Sequence, residues 1–210
     1  MDSRFQDTDV TLTVALKRTV AEIRSESITL QQLLGLLGEQ GLLVFCTILT
    51  IPFLLPVSIP GVSTVFGLVI IFIGISVTLN RALWLPDRLL THKLNSMHLR
   101  PVLERGIIFF GRLERWMHVR LHQLTEGKVV NRLNGLALTG GGVLLLFPLS
   151  FIPFSNTLPA LSVLLLALGM LQRDGLFIIS GYVMLLLTVL YFGGLALALF
   201  FGGQSLLTGL

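Results

Sequence analysis

The chain has 210 residues, 53% of them hydrophobic and 12% charged, against about 25% charged residues in an ordinary soluble domain; its mean hydropathy is +0.86. No side chain carries a charge from Gly41 to Asn80, from Gly135 to Gln172 or from Gly175 to Leu210, which excludes a soluble globular domain and predicts an all-α, polytopic membrane protein. The net charge of +4 is concentrated between Arg81 and Arg132, where ten Lys/Arg face four Asp/Glu; the positive-inside bias puts this segment on the cytoplasmic side.

Residues 1–26 are polar, with Leu12, Leu16, Val20 and Ile23 on one helical face, the pattern of a surface helix. They lack the basic tip and early apolar core of a cleavable signal peptide. Residues 27–80 form the first membrane unit. Ser27 is placed to cap a helix carrying Leu30, Leu33, Leu34, Leu36 and Leu37. Gly35, Gly38 and Gly41 recur along it as a smooth strip for close helix approach, in a dimer seam or within the chain. The lone cysteine, Cys46, reads as an apolar packing residue and supports neither a disulfide nor a Cys-based metal site.

The uncharged run 41–80 is too long for one span, which takes about 20 residues, and short for two with a turn. At its middle stands IPFLLPVSIPGVS, with Pro52, Pro56, Pro60, Gly61 and Ser63. Proline costs about 3 kcal/mol in a helix interior. Two short helices joined by a Pro/Gly turn are expected, as a re-entrant hairpin or a tight pair of thin spans.

Residues 81–134 form a basic segment. Leu103, Ile107, Phe110, Leu113, Met117 and Leu121 step by three or four residues, with Arg105, Arg112 and Arg120 towards the other side. That predicts an amphipathic helix at the membrane surface, with Trp116 at the interface. Anionic headgroups account for the basic charge more simply than nucleic acid does. His118 and His122 are four apart, but no Glu completes a zinc-protease motif and no third ligand is evident. The segment therefore predicts no metal or cofactor.

Residues 135–174 repeat the first pattern around FPLSFIPFSNTLPALS, with Pro153, Asn156, Pro159 and Ser162. IPF occurs at 51–53 and at 152–154, and IPGVS at 59–63 matches LPALS at 158–162. An internal duplication with two Pro-broken hairpins is the preferred reading, its copies either inverted or parallel. Helices broken at membrane depth expose free backbone groups and half-helix ends to a cavity. The tips are thus the candidate site, unless the prolines only shape the turns. Gly140, Gly141 and Gly142 lack the following Lys-Ser/Thr of a phosphate loop. No catalytic set can be assembled, and the uncharged runs hold no carboxylate for a proton relay. An enzyme is not expected.

Arg81, Arg173 and Asp174 at the run ends, with Glu114, Arg115 and Arg120 on the amphipathic helix, form a candidate charged network; headgroup anchoring accounts for them equally. Residues 175–210 hold one or two further spans, with Gly193-Gly194 as a turn or a packing notch.

Several stretches together resemble one family. They are ITLQQLLGLLGEQG at 28–41, PVSIPGVS at 56–63, WLP at 84–86, LERWMHVR at 113–120, PFSNTLPALS at 153–162 and GMLQRDG at 169–175. The sequence resembles the bacterial ExoD-type membrane proteins, named for exopolysaccharide synthesis, from about residue 27 onward. The resemblance implies a helical inner-membrane protein tied to exopolysaccharide production, a homodimer, and no established reaction. Two roles follow: a transporter-like component with its site between the tips, or an accessory factor docking synthesis machinery through the basic helix.

Overall fold

The computed structural model describes residues 27–54, 62–80, 93–95, 121–125, 127–147 and 154–208, with further positions at 14, 17, 20, 21, 101, 104, 107, 108, 110–112 and 152. The described chain is helical apart from turns and one short ribbon. In the ribbon β1 (Ser27–Thr29) pairs antiparallel with β2 (Lys93–Asn95), Ser27 opposite Asn95. Ser27 therefore belongs to a strand, and the helix it was expected to cap starts at Leu30.

Helix α1 (Leu30–Leu54) is broken at Gly38, whose φ of 54° and ψ of −137° are open only to glycine. The expected glycine strip is thus interrupted by a kink. The apolar part beyond it, Gln40–Leu54, ends where Leu55 precedes Pro56 and the helical region is disfavoured. Helix α2 (Val62–Leu79) follows the first proline cluster. The uncharged run thus holds the later part of α1 and the whole of α2, on either side of its Pro/Gly stretch.

Helix α3 (Lys128–Leu145) begins inside the basic segment rather than at residue 135. Lys128 and Arg132 occupy its first turns, exposed at the end that lies clear of the apolar core. Helix α4 (Thr157–Gln172) accepts Pro159 in its first turn, where no intrahelical N–H is needed. It closes on Arg173 in the left-handed conformation, with the Asp174 N–H bonded to the Gly169 carbonyl at 2.9 Å. Asp174 then starts α5 (Gly175–Thr208): its buried carboxylate accepts the Leu176 N–H at 3.0 Å. The tail is one continuous helix, so Gly193-Gly194 is not a turn.

Each of α1 to α4 packs on the next, and α4 returns to α1, closing a four-helix ring with α5 laid on α4. Its core joins Cys46, Leu49 and Phe53 of α1, Ile70, Ile73 and Val77 of α2, Leu138 and Leu145 of α3, Val163 and Leu166 of α4 and Ile178 of α5. Glycines set the tightest seams. A Cβ at Gly74 would lie 2.7 Å from the Thr139 N, and one at Gly135 2.6 Å from the Thr78 N. Further along, Gly67 meets the Gly142 carbonyl and Leu146. The helices α2 and α3 are therefore antiparallel, with the start of α2 beside the end of α3. The described helix ends on either side of the two Pro-rich stretches, near Phe53, Phe66, Leu146 and Pro159, lie at one end of the ring. Lys128, Arg132, Arg173 and Asp174 lie at the other.

Along α4 and α5, Gly169 meets Ile178 and Gly181 meets Leu166, again antiparallel. Continued upward, that register brings Asn156 level with Tyr191, and the Phe147 and Phe192 rings do meet there, 6.0 Å apart. At 1.5 Å per residue, α5 runs about 15 Å past the level of Asn156 by Phe201. Its Leu197, Leu199, Phe200 and Phe201 are all exposed.

The predicted surface helix is represented by Val14, Lys17, Val20 and Ala21, all helical, with Val20 packed on the core and Lys17 exposed. Helical positions between Pro101 and Arg112 follow the amphipathic pattern: Phe110 is buried, Ile107 packs on the core, and Glu104 and Arg112 are exposed. The stripe does not reach Leu121, which is exposed with φ 53°. There the chain turns into a single 3-10 turn, His122–Leu124, so His122 is not on the amphipathic helix; His118 lies outside the described residues.

Candidate functional site at the hairpin tips

Ser63 is buried in the first turn of α2, and Ser155, Asn156 and Pro159 are buried at the start of α4. These helices hold alternate places in the ring, so two of the predicted polar groups, Ser63 and Asn156, come to the same end from opposite sides. Pro52 is exposed in the last turn of α1. Pro56, Pro60, Gly61 and Pro153 lie outside the described residues, as do Arg81, Glu114, Arg115 and Arg120 of the charged network.

Asn156 is the unusual member. It stands at the N-cap of α4 yet makes no capping bond, and it is only 8% exposed. Its Oδ1 is buried with no hydrogen-bond partner among the described residues. An acceptor left so costs about 1–3 kcal/mol. The helix end around it offers few free donors: Leu158 N–H is bonded to the Phe154 carbonyl at 3.1 Å, Ala160 N–H to the Asn156 carbonyl at 3.1 Å, and Pro159 has none. Asn156 Oδ1 is thus an acceptor without a donor among the described residues.

Ser162 has a different task. It is fully buried and donates to the Gly181 carbonyl at 2.9 Å, joining α4 to α5. The repeated tripeptides also differ in setting. Residues 51–53 end helix α1, whereas Phe154 of the second copy is in a turn with φ 63°. The two pieces share an end of the ring but not a local conformation.

A second polar cluster was missed by sequence reasoning. Buried Asn134 on α3 donates through Nδ2 to the Leu124 carbonyl at 3.1 Å and accepts the Tyr182 hydroxyl at 2.9 Å. It fastens the end of the basic segment to α3 and α5. An Asn and a Tyr in largely apolar helices were the available signals, but nothing in their spacing pairs them.

Residues 12–194 match the family described as "Exopolysaccharide synthesis, ExoD". The chain belongs to the ExoD family. Protein ExoD of Rhizobium meliloti (strain 1021) is 49% identical over 206 residues, covering 98% of this chain and 86% of that one. An uncharacterized protein of Synechocystis sp. is 27% identical over 187 residues, covering 89% and 87%. No solved structure matches the chain. The ExoD match spans both tips and the basic segment between them. The relatives' printed names assign no reaction.

Proposed function

We propose that this ExoD-family protein is a multi-pass protein of the bacterial inner membrane that serves exopolysaccharide synthesis or export through a site between its two Pro-broken tips. The Rhizobium relative's name and the family description supply the process. Membrane insertion is supported by the outer surface. Gly175–Phe201 is long and apolar enough to cross a bilayer, and Val65, Leu68, Phe72, Ile75 and Leu79 form an exposed apolar stripe along α2. A water-soluble monomer rarely shows so continuous an apolar face. With the charged end of the ring at the cytoplasmic headgroups, the basic segment meets anionic lipid there.

The observation that carries the site is Asn156, buried at the tip end with an unanswered acceptor. The ligand is a polysaccharide precursor, a lipid-linked intermediate or an ion, and the protein acts as a transporter-like component rather than as an enzyme. Polysaccharide output decides it. Asn156→Ala with Ser63→Ala is expected to lower output while the protein stays in the membrane fraction at normal level. Unchanged output overturns the site.

The second reading is an accessory protein that docks the synthesis machinery. It is favoured by the exposed Arg112 on a helical segment whose Phe110 is anchored in the core. Loss of output in Arg112→Glu with Arg115→Glu, beside normal output in the tip variant, supports docking. The homodimer that the resemblance implies belongs to either reading, and cross-linking in native membranes tests it.

A further inference from the structure

On the outward face of α3 we infer a binding site for one anionic phospholipid, its phosphate held by Lys128 and Arg132 and one acyl chain laid along the helix over Gly140. This deepens the membrane-insertion reading above and rests on it. Three observations carry it.

The first is charge. Lys128 and Arg132 stand four residues apart in the first turns of α3, both exposed. Side chains so spaced are neighbours on a helix surface, close enough to share one phosphate. From Gln123 to Gln172 the sequence sets these two cations against one acid, Glu126, so the net charge here is positive. An arginine grips phosphate oxygens through paired N–H donors, and a lysine adds a point charge beside it.

The second is the surface below them. With 3.6 residues per turn, Arg132, Leu133, Leu136, Gly140, Val143 and Phe147 fall within about 100° of the helix circumference, on the side away from buried Leu138 and Leu145. The Leu, Val and Phe side chains of that row are exposed. A Cβ at Gly140 would meet nothing within 4 Å, so an open notch interrupts the row.

The third is depth. At 1.5 Å per residue, Gly140 lies about 12 Å and Val143 about 17 Å along the helix from Arg132. One leaflet contributes about 15 Å, half of the hydrocarbon core. A chain descending from a phosphate at Arg132 therefore passes the notch and ends level with Val143.

Together these features select the occupant. A soluble phosphate would leave the apolar row uncovered, and a neutral lipid would leave the cations unanswered. A second copy laid symmetrically on this face, with the same sidedness in the membrane, would bring its own Lys128 and Arg132 against these, like charge on like. An anionic phospholipid meets both the charge and the apolar row.

The test compares thermal unfolding of the full-length protein in neutral detergent with added phosphatidylglycerol or phosphatidylcholine of identical chains. Phosphatidylglycerol at ten times its Kd is expected to raise the midpoint about 4 °C above the phosphatidylcholine value. Lys128→Gln with Arg132→Gln is expected to abolish that difference and keep the midpoint in phosphatidylcholine. Gly140→Leu, which fills the notch, is expected to reduce the difference although both cations remain. Equal midpoints in the two lipids, or a difference unchanged in either variant, overturn the inference. Glycerol phosphate, the headgroup without chains, is expected to give no shift; a shift equal to that of the lipid assigns the cations to a soluble anion and overturns it too.

Alkaline carbonate extraction of native membranes tests the underlying reading separately. A protein that stays in the membrane but shows no preference for phosphatidylglycerol keeps that reading and loses only this inference. A protein released by the wash loses both.

Discussion

Gly74 and Thr139 meet across the α2–α3 seam so closely that a methyl group on Gly74 would reach the Thr139 backbone N at 2.7 Å. The contact is reciprocal, since Gly135 stands against Thr78 in the same way. Each threonine bonds its hydroxyl back to the glycine four residues earlier on its own helix, Thr78 to Gly74 at 2.7 Å and Thr139 to Gly135 at 2.8 Å. The hydroxyls are satisfied within their helices, so close backbone approach costs no polar desolvation. Gly74→Ala or Gly135→Ala is therefore expected to lower stability by about 1–3 kcal/mol through overpacking. At Gly140 a Cβ meets nothing within 4 Å, and Gly140→Ala is expected to be neutral or to stabilise by up to about 1 kcal/mol. Thermal unfolding of the purified variants in detergent compares them; equal losses at Gly74 and Gly140 would remove the seam from the account.

The Asn134–Tyr182 bond is expected to show as coupling in a double-mutant cycle. Tyr182→Phe removes the hydroxyl at a cost of about 1 kcal/mol, and Asn134→Ala costs more because the Leu124 carbonyl also loses its donor. If the two effects add without coupling, the hydroxyl bond contributes nothing to stability.

Asp174 and Ser162 hold α5 in different ways, and their variants separate the two. Asp174→Ala deprives the Leu176 N–H of its acceptor and is expected to cost about 1 kcal/mol, while Asp174→Asn keeps an acceptor and most of the stability. Ser162→Ala breaks the bond to the Gly181 carbonyl for about 1 kcal/mol. Chemical denaturation of each variant reads these values. An Asp174→Asn protein as weak as Asp174→Ala would argue against capping.

Gly38→Ala places a Cβ where φ is 54° and ψ −137°, a strained conformation costing about 1–3 kcal/mol. The variant is expected to lose that much stability or to straighten α1. A thermal midpoint unchanged from the parent would show that the kink is dispensable.

Much of the fold could be read from local features. The two proline clusters marked breaks in the apolar runs, whereas Arg173 and Asp174 were read as a charged network or headgroup anchors and not as the tight junction they form between α4 and α5. Tertiary register could not be read this way. Nothing in the spacing of Gly74 and Gly135 says that they face each other, because helices far apart in sequence choose their register by packing. The IPF repeat does not by itself set a conformation: an apolar tripeptide fits the end of a helix, as at Phe53, and a turn, as at Phe154, equally well. Helix α3 starts at Lys128, within the basic segment, because charge at an exposed helix end leaves the helix intact. At the tips, Ser63 and Asn156 were legible as polar groups beside prolines. That Ser162 is committed to α5 was not, since its partner is a backbone carbonyl and leaves no mark in the sequence.

In α1, buried Thr47 donates to the Leu43 carbonyl at 2.9 Å and buried Thr50 to the Thr47 carbonyl at 2.7 Å. Both hydroxyls are answered inside their own helix, although α1 finds a major packing partner in α4, about a hundred residues later in the chain. During synthesis α1 leaves the ribosome long before α4 exists. With both hydroxyls satisfied inside the helix, neither threonine needs α4 for its hydrogen bond during that interval. For these two threonines the order of translation therefore imposes no polar penalty, and their part in closing the ring on α4 is left to the packing of shapes.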